Sequence, residues 1–294
     1  MGNEYIINDL GNERILITGN KEYRTYYSRR IIELLIKRKG LKRATQYFTH
    51  KEKRAKFLDP LFHYLNRETK SLKVLEVGCS SGHITEYLNE QPCIGEIYNY
   101  DIDKAFVEIT HIKKDELNLN KVKRIDHFSI QDTLSLPYED NFFDLIVVLA
   151  IVEHLPYENR HVYVDNYYKK LKVGGIIGFW DTPNRFFPFE RHSIGLPFVH
   201  WLSPQIAFVY AKLFGKLKES SFPEFVRAGT GWRNSSYYEL LPKSLMIDIR
   251  DISKEVGYVY EGRFARRLSR LLDVPVAFFT PNLNVVFRKE GDYE

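Results

Sequence analysis

With 294 residues, 44% of them hydrophobic and 15% aromatic, the chain can bury a substantial core, which excludes global disorder. Two cysteines, Cys79 and Cys93, exclude a disulfide framework, and the opening residues lack signal-peptide or myristoylation features, so a reducing, cytoplasmic location is expected. The net charge of +5 is uneven, because residues 21–70 hold 15 Lys or Arg against 5 Asp or Glu and leave the remainder net acidic.

In that basic segment, IIELLIK and KEKRAKFLDPLFHYLNRE carry apolar residues at helical spacing and predict two or three helices. Its cations read as solvated helix faces, or as a surface for an anionic partner: nucleic acid, a membrane or a phosphorylated substrate. Residues 1–70 are therefore expected to form a helical basic N-terminal extension, and residues 71–294 the main domain.

From residue 71 short apolar runs alternate with helical stretches. KVLEVG (73–78) reads as a strand, followed by a Gly/Ser turn and the amphipathic HITEYLNE. EIYNYD (96–101) is a second strand, KAFVEITHIKKDEL a helix, RIDHFSIQD (124–132) a third strand, and FFDLIVVLA (142–150) a fourth, buried on both faces. NRHVYVDNYYKKLKVGG predicts a helix capped by Gly174-Gly175, leading into a fifth strand, IIGFWDT (176–182). This alternation predicts a parallel sheet with helices on both faces.

The rhythm then breaks. Ser193 to Ala211 is 19 residues without a charge, yet Pro197, Pro204, Gly195 and several polar residues argue against a spanning helix. It reads as an insertion, at about 185–235, that forms a lid or pocket wall, with shallow membrane contact as the alternative. Beyond it SYYELLPKSLMIDIRDISKEVGYVY suggests a helix and a strand, ARRLSRLLDV a helix, and NLNVVFRK (282–289) a last strand.

In an open parallel sheet, ligands bind beyond the carboxyl ends of the strands. The turn after the first strand, Gly78-Cys79-Ser80-Ser81-Gly82, lets backbone approach a ligand, and the second strand ends in Asp101, where a carboxylate can accept from ribose hydroxyls. A dinucleotide fingerprint requires Gly where this chain has Ser80 and His83, and no Walker A pattern exists. S-adenosylmethionine (SAM) needs no phosphate cradle, and Glu76 suits its cationic end.

VLEVGCSSGHITEYL resembles motif I of class I SAM-dependent methyltransferases, and YNYDID resembles the motif that ends in the ribose-binding acid. SIQDTLSLPYEDNFFDLIVVLAIVEHL is similar to the small-molecule branch that includes ubiquinone-type, methyltransferase type 11-like enzymes, and LKVGGIIGFWDTPN to its strand-five signature. The resemblance spans roughly residues 71–184. It implies a Rossmann-like, doubly wound, mostly parallel seven-stranded α/β sheet carrying the helical extension and the lid. It also implies that Glu76, Gly78, Cys79, Ser80 and Gly82 meet the methionine part of SAM. Asp101 would bind the ribose, Ile102 pack on the adenine, Asp132 and Thr133 meet its amino group, and Leu149 line the sulfonium. Ser80 departs from the family's usual Gly.

Methyl transfer to a carbon or nitrogen needs no strong base, whereas a hydroxyl acceptor does. His154, in Glu153-His154-Leu155 beyond the fourth strand, is the first candidate base, and His192 the second. Some ubiquinone-type relatives use a divalent metal near this Glu-His pair. Glu153, Glu190 and His192 could supply one, but no spacing here resembles a zinc site and no metal is expected. The expected partner is a small-molecule acceptor (lipid, saccharide or secondary metabolite). The rival reading is an RNA-modifying methyltransferase docking through residues 21–70, weakened because Ala-Ile-Val-Glu-His-Leu replaces the Asn/Asp-Pro-Pro-Tyr/Phe turn of amino methyltransferases. A binding module that keeps SAM as a structural ligand is the non-enzymatic alternative.

Overall fold

The computed structural model describes residues 5–66, 71–228, 234–243, 246–257 and 263–292. Parts of three predicted segments fall outside them: residues 67–70 of the basic stretch, 229–233 of the insertion, and 258–260 at the end of the segment after it. The chain divides into two compact units, Met1–Ile130 and Gln131–Glu294.

The first unit begins with an antiparallel sheet that the residue pattern did not announce: β1 (Ile6–Leu10), β2 (Glu13–Thr18) and β3 (Lys21–Thr25), in that order. Three helices follow, as the periodicity predicted: α1 (Arg29–Lys39), α2 (Leu41–Tyr47) and α3 (His50–Leu65). Ser28 caps α1 by accepting from the Ile31 N–H at 3.3 Å, and Lys37, Arg38 and Lys39 complement the negative end of the helix. The inner faces of sheet and helices (Leu16, Tyr27, Ile31, Ile32 and Leu35 among them) pack on Phe106, Ile109 and Ile112 of a later helix. Of the cations, Arg29, Arg38 and Lys51 pair with Asp9, Asp103 and Glu90, while Lys42, Arg43, Lys53 and Lys56 are exposed.

Next come β4 (Leu72–Val77), α4 (His83–Glu90), β5 (Ile94–Asp101), α5 (Lys104–Glu116) and β6 (Val122–His127). β5 lies between β4 and β6 and is parallel to both. A buried polar knot ties the extension to this part of the unit. Glu86 of α4, 3% exposed, accepts from Lys113 of α5 at 2.7 Å, from the Tyr27 hydroxyl at 2.9 Å and from the Tyr26 hydroxyl at 2.5 Å. The Lys113 ammonium also sits 3.8 Å from the Tyr27 ring centroid. Burial and the Glu86 charge push both phenols far above their usual range, and burial pulls the Lys113 ammonium down against the pull of Glu86.

The second unit holds β7 (Phe143–Leu149), α6 (Arg160–Lys170), β8 (Leu171–Pro183), α7 (Pro204–Leu213), α8 (Phe222–Ala228), β9 (Ile247–Asp251), α9 (Ser253–Val256), α10 (Arg263–Leu272) and β10 (Asn282–Asp292). Its strand order is β7-β8-β10-β9, with β8 parallel to β7 and β10 antiparallel to both neighbours. The β4–β10 strands make the mostly parallel seven-stranded sheet that the sequence predicted.

Two local expectations are corrected. Gly174 and Gly175 do not cap α6, which ends at Lys170. They lie in an irregularity at the start of β8, between the pairings Phe143↔Leu171 and Leu145↔Ile176, and Gly174 takes φ +78°. The cause is Leu171, fully buried, which pulls the chain into the sheet directly after the helix. The third predicted strand is also shorter: pairing stops at His127, and Asp132 opens a 3₁₀ turn, Asp132–Leu134.

The uncharged stretch after β8 is broken by a 3₁₀ turn at Val199–Trp201 and by Pro204, which starts α7. Ala207 and Ala211 of α7 pack with Val199 and Phe225 in a core of their own, while Ile206, Val209 and Leu213 are exposed. Among the described residues no helix is long and apolar enough to cross a membrane.

The buried knot yields the first prediction. Lys113→Met strands a buried carboxylate and should destabilise the protein by about 3–5 kcal/mol. Tyr27→Phe removes one hydrogen bond and should cost about 1–2 kcal/mol. Urea unfolding of both variants checks the order, and equal effects would mean that the ion pair contributes no more than the phenol.

Candidate functional site

In the first unit the turn after β4 turns back on itself through three left-handed residues, Gly78 (φ +71°), Ser80 (φ +48°) and Gly82 (φ +74°). At Gly82 a side chain is blocked twice, by φ and by Thr110, whose Cγ2 would lie 3.0 Å from an added Cβ. Ser80 holds a conformation that costs an L-residue about 1–2 kcal/mol. Its partners explain how it is kept there. The Ser80 N–H donates to Asp101 Oδ2 at 2.7 Å, and its carbonyl accepts from the Thr110 hydroxyl at 2.9 Å.

Asp101 ends β5, where the sequence predicted it. One oxygen takes the Ser80 N–H and the other the Asp103 N–H at 2.8 Å. Burial nevertheless raises its pKa, against those backbone bonds. Ile102 beside it is 52% exposed, an apolar face available to a ligand. Cys79 is buried, and burial pushes its thiol well up, so it is no nucleophile.

Glu76 lies beneath the loop, 3% exposed. It accepts from the Thr85 hydroxyl at 2.6 Å and from Asn99 Nδ2 at 3.4 Å, and Asn99 also donates to Thr85 at 3.1 Å. Burial outweighs these bonds and pushes its pKa up to about 8. Asn99, Thr85 and Thr110 are contributors that sequence reasoning missed. Asn99 lies on β5 at the position paired with Glu76, a signal that strand register alone could have given.

In the second unit Asp132 is exposed on its 3₁₀ turn, whereas Thr133 is buried and its carbonyl accepts from Asn166 at 3.3 Å. Leu149 is half-buried at the end of β7, and the next residue, Ala150, turns the chain with φ +54°. A 3₁₀ turn, Val152–His154, then buries Glu153 and exposes His154. His192, exposed on the loop after β8, has its ring centroid 6.1 Å from that of His154. Glu153, His154 and His192 each offer a ligand atom, and all three atoms lie within 4.8 Å of one another.

The two candidate bases are thus brought together, and the grouping of Glu153 and His192 with Glu190 is revised. The Glu190 carboxylate is fully buried and committed to the backbone of its own loop, so His154 takes its place in the cluster. Alongside, Glu239 bridges Arg160 and Arg185, each at 2.9 Å, and both guanidiniums lie over the Tyr157 ring. Two imidazoles and a carboxylate so arranged can relay a proton or hold a divalent cation.

Comparison with known proteins agrees with the sequence reading. Residues 75–179 match the family described as a methyltransferase domain. A ubiquinone biosynthesis O-methyltransferase of Coxiella burnetii is 26% identical over 163 residues, which cover 54% of this chain and 63% of that one. A demethylmenaquinone methyltransferase of Staphylococcus aureus is 26% identical over 151 residues, covering 51% and 57%. The chain thus spans about three-fifths of the length of the curated relatives it matches. Among solved structures, a SAM-dependent methyltransferase from Archaeoglobus fulgidus aligns with a TM-score of 0.42 and 15% identity over 81% of this chain and 94% of that one.

Glu76 gives a signed pH prediction. Its folded pKa of about 8 lies above its ordinary value of 4.5, so the cost of ionising it in the fold grows between those values and is complete above 8. Without ligand, Glu76→Gln should raise the melting temperature at pH 8.5 by roughly 5 °C and by much less at pH 5. SAM affinity of the natural protein should rise from pH 6 to 8, because a cationic ligand favours the carboxylate. Thermal scans and calorimetry at the two ends of the range check both, and a pH-independent gain would remove Glu76 ionisation as the cause.

Proposed function

We propose that the chain transfers the methyl group of SAM to a hydroxyl oxygen of a small molecule, a reading that starts from the match of residues 75–179 to a methyltransferase domain. The observation that carries the choice of oxygen is the gathering of Glu153, His154 and His192 within 4.8 Å just beyond β7. A hydroxyl must lose its proton as the new bond forms, and an exposed imidazole backed by a buried carboxylate is suited to take it. That one of the relatives is an O-methyltransferase supports the same atom.

In this reading Glu76 takes the ammonium of the methionine part, the loop backbone from Gly78 to Gly82 approaches its carboxylate, and Asp101 accepts from the ribose hydroxyls. Ile102 covers one face of the adenine, Asp132 and Thr133 meet its amino group, and Leu149 borders the sulfonium. The transferred methyl carries dispersed charge in an in-line displacement, so alignment and exclusion of water supply much of the rate. His154 takes the acceptor proton, with buried Glu153 next to it in the chain to stabilise the imidazolium, and His192 borders the acceptor from the lid loop. The insertion serves as the lid, and its aromatic residues suit an acceptor with apolar character.

A second reading, methylation of RNA, draws on the exposed Lys42, Arg43, Lys53 and Lys56 of α2 and α3. It requires retention on RNA that weakens steeply with salt. Elution at low salt removes it.

Calorimetry should give one SAM site and no NADH binding, and Asp101→Ala should weaken SAM at least about tenfold, the loss of a charge-assisted pair. Incubation with methyl-labelled SAM and a metabolite extract should label a small molecule through oxygen. His154→Ala should lower that labelling by about 10²–10⁴-fold with SAM affinity unchanged. Label on nitrogen or carbon, or full turnover without His154, would overturn the hydroxyl reading.

A further inference from the structure

Beyond the carboxyl ends of the parallel strands β7 and β8 lies a charged cluster that the proposed transfer does not use. Arg160 is the first residue of α6, Arg185 follows β8, and Glu239 stands on a 3₁₀ turn, Tyr237–Leu240. One Glu239 oxygen accepts from Arg160 Nη1 at 2.9 Å and the other from Arg185 Nη1 at 2.9 Å. The two guanidiniums lie 5.5 and 5.4 Å from the centroid of the Tyr157 ring, which stabilises both cations. Tyr157 follows His154 by three residues, and Arg160 feels the charge of Glu153, so the cluster adjoins the turn that carries the proposed base.

Each guanidinium is also held by groups other than Glu239. Arg185 donates to the Asn234 carbonyl from Nε at 3.2 Å and from Nη2 at 2.9 Å, and Arg160 donates to the Ser235 hydroxyl at 2.9 Å. Ser235 is tied in turn to the end of β8: its N–H donates to the Pro183 carbonyl, and its carbonyl accepts from the Arg185 N–H, each at 2.8 Å. The two forks therefore keep their place without Glu239, whose single carboxylate faces two cations. Arg160 is 3% exposed, and its Nε is buried with no acceptor among the described residues. Burial pulls its pKa below the ordinary value against the attraction of Glu239. The start of α6 adds to the imbalance, because no side chain caps it and its first turn holds no acid. A buried cation so incompletely matched is costly until a further anion joins it.

The group already between the forks shows what they fit. Carboxylate and phosphate oxygens both accept paired hydrogen bonds from a guanidinium, which a neutral hydroxyl cannot match in strength. Around the cluster the surface is aromatic. Tyr157 is exposed, and so are Phe186 and Tyr238, the chain neighbours of Arg185 and Glu239. Phe186 and Tyr238 both pack on Phe278, with ring centroids 5.5 and 5.8 Å away. Rings left facing water beside two cations suit a ligand with an apolar or aromatic body and an anionic end.

We propose that Arg160 and Arg185 anchor the methyl acceptor by an oxyanion, carboxylate or phosphate, carried on its apolar or aromatic body, and that Glu239 is the intramolecular stand-in which the ligand's anion displaces. The inference rests on the small-molecule reading above and adds the class of acceptor: an acidic hydroxy compound, held at its charged end while the hydroxyl meets His154. It also fixes a sign. Removing the Glu239 charge frees the forks and tightens anion binding, whereas a purely structural ion network loses its brace and does not gain affinity.

The experiment is calorimetry of the full chain, without cofactor, against benzoate, phenyl phosphate and benzyl alcohol, which share a ring and differ in charge. The natural protein should bind benzoate or phenyl phosphate at one site, with an affinity that falls as salt rises, and benzyl alcohol at least about tenfold more weakly. The tighter of the two anions identifies the oxyanion. Arg185→Gln should weaken it about 10–100-fold, the loss of a charge-assisted pair, and Arg185→Lys, which keeps the charge without the fork, should fall between. Glu239→Gln should tighten it, and SAM calorimetry on each variant reports the integrity of the rest. Equal binding of benzyl alcohol, or no saturable binding of either anion, would overturn the anchor in the natural protein, whether or not a variant folds. Full anion affinity in Arg185→Gln would overturn it as well. Weaker or unchanged anion binding in Glu239→Gln, with SAM binding intact, would overturn the stand-in role. Anion-exchange chromatography of the product labelled from methyl-SAM checks the acceptor: retention as an anion is expected, and a neutral product overturns the link to the reaction. Any of these failures with SAM binding intact leaves the methyltransferase reading standing, whereas loss of SAM binding alone sinks that reading and spares the measured anion site.

Discussion

The clasp between Asp101 and the Ser80 N–H is the contact on which the turn after β4 depends. Ser80 sits in a left-handed conformation that its side chain disfavours, and a 2.7 Å bond to a carboxylate is strong enough to hold it there. One side chain thereby sets the shape of the turn after β4 and marks the end of β5. Strand register, loop shape and the acid at the end of β5 are consequently a single feature. Thr110 buttresses the same residue from α5.

Three buried glutamates show how differently one functional group can be used. Glu86 is matched by an ammonium and two phenols, and the result is a knot tying the extension to α4 and α5. Glu190 is matched by four backbone N–H groups and shapes a loop. Glu76 has only a hydroxyl and an amide, which do not compensate its burial, so its carboxyl is pushed up to about 8. The incompletely compensated member of the three is the one lying under the loop expected to receive a cation. A site that stores part of its unfavourable electrostatics until the ligand arrives is what differential binding requires.

Much of the architecture was legible because period and punctuation agree along the chain. β4, β5, β7, β8 and β10 are apolar runs flanked by helices with a clear 3.6-residue pattern, and the acid at 101 and the Glu-His pair at 153–154 fall at their ends. The misreadings occurred where local signals were overridden. Gly174-Gly175 carried a helix-ending signature, but burial of Leu171 ended α6 first. β1 to β3 are short strands whose burial does not alternate cleanly, so their pattern was too weak to distinguish from loop.

The sequence by itself determined the sheet, the Gly-rich turn after β4 and the identities of both histidines, because these depend on local periodicity and on residues a few positions apart. Tertiary structure decided which side chains share a cluster. His154 and His192 are 38 positions apart, and Glu190, two positions before His192, is withdrawn by four N–H groups of its own loop. Which carboxylate is spent on the backbone and which faces the site depends on where the chain closes in space, and the spacing of residues along it holds no record of that.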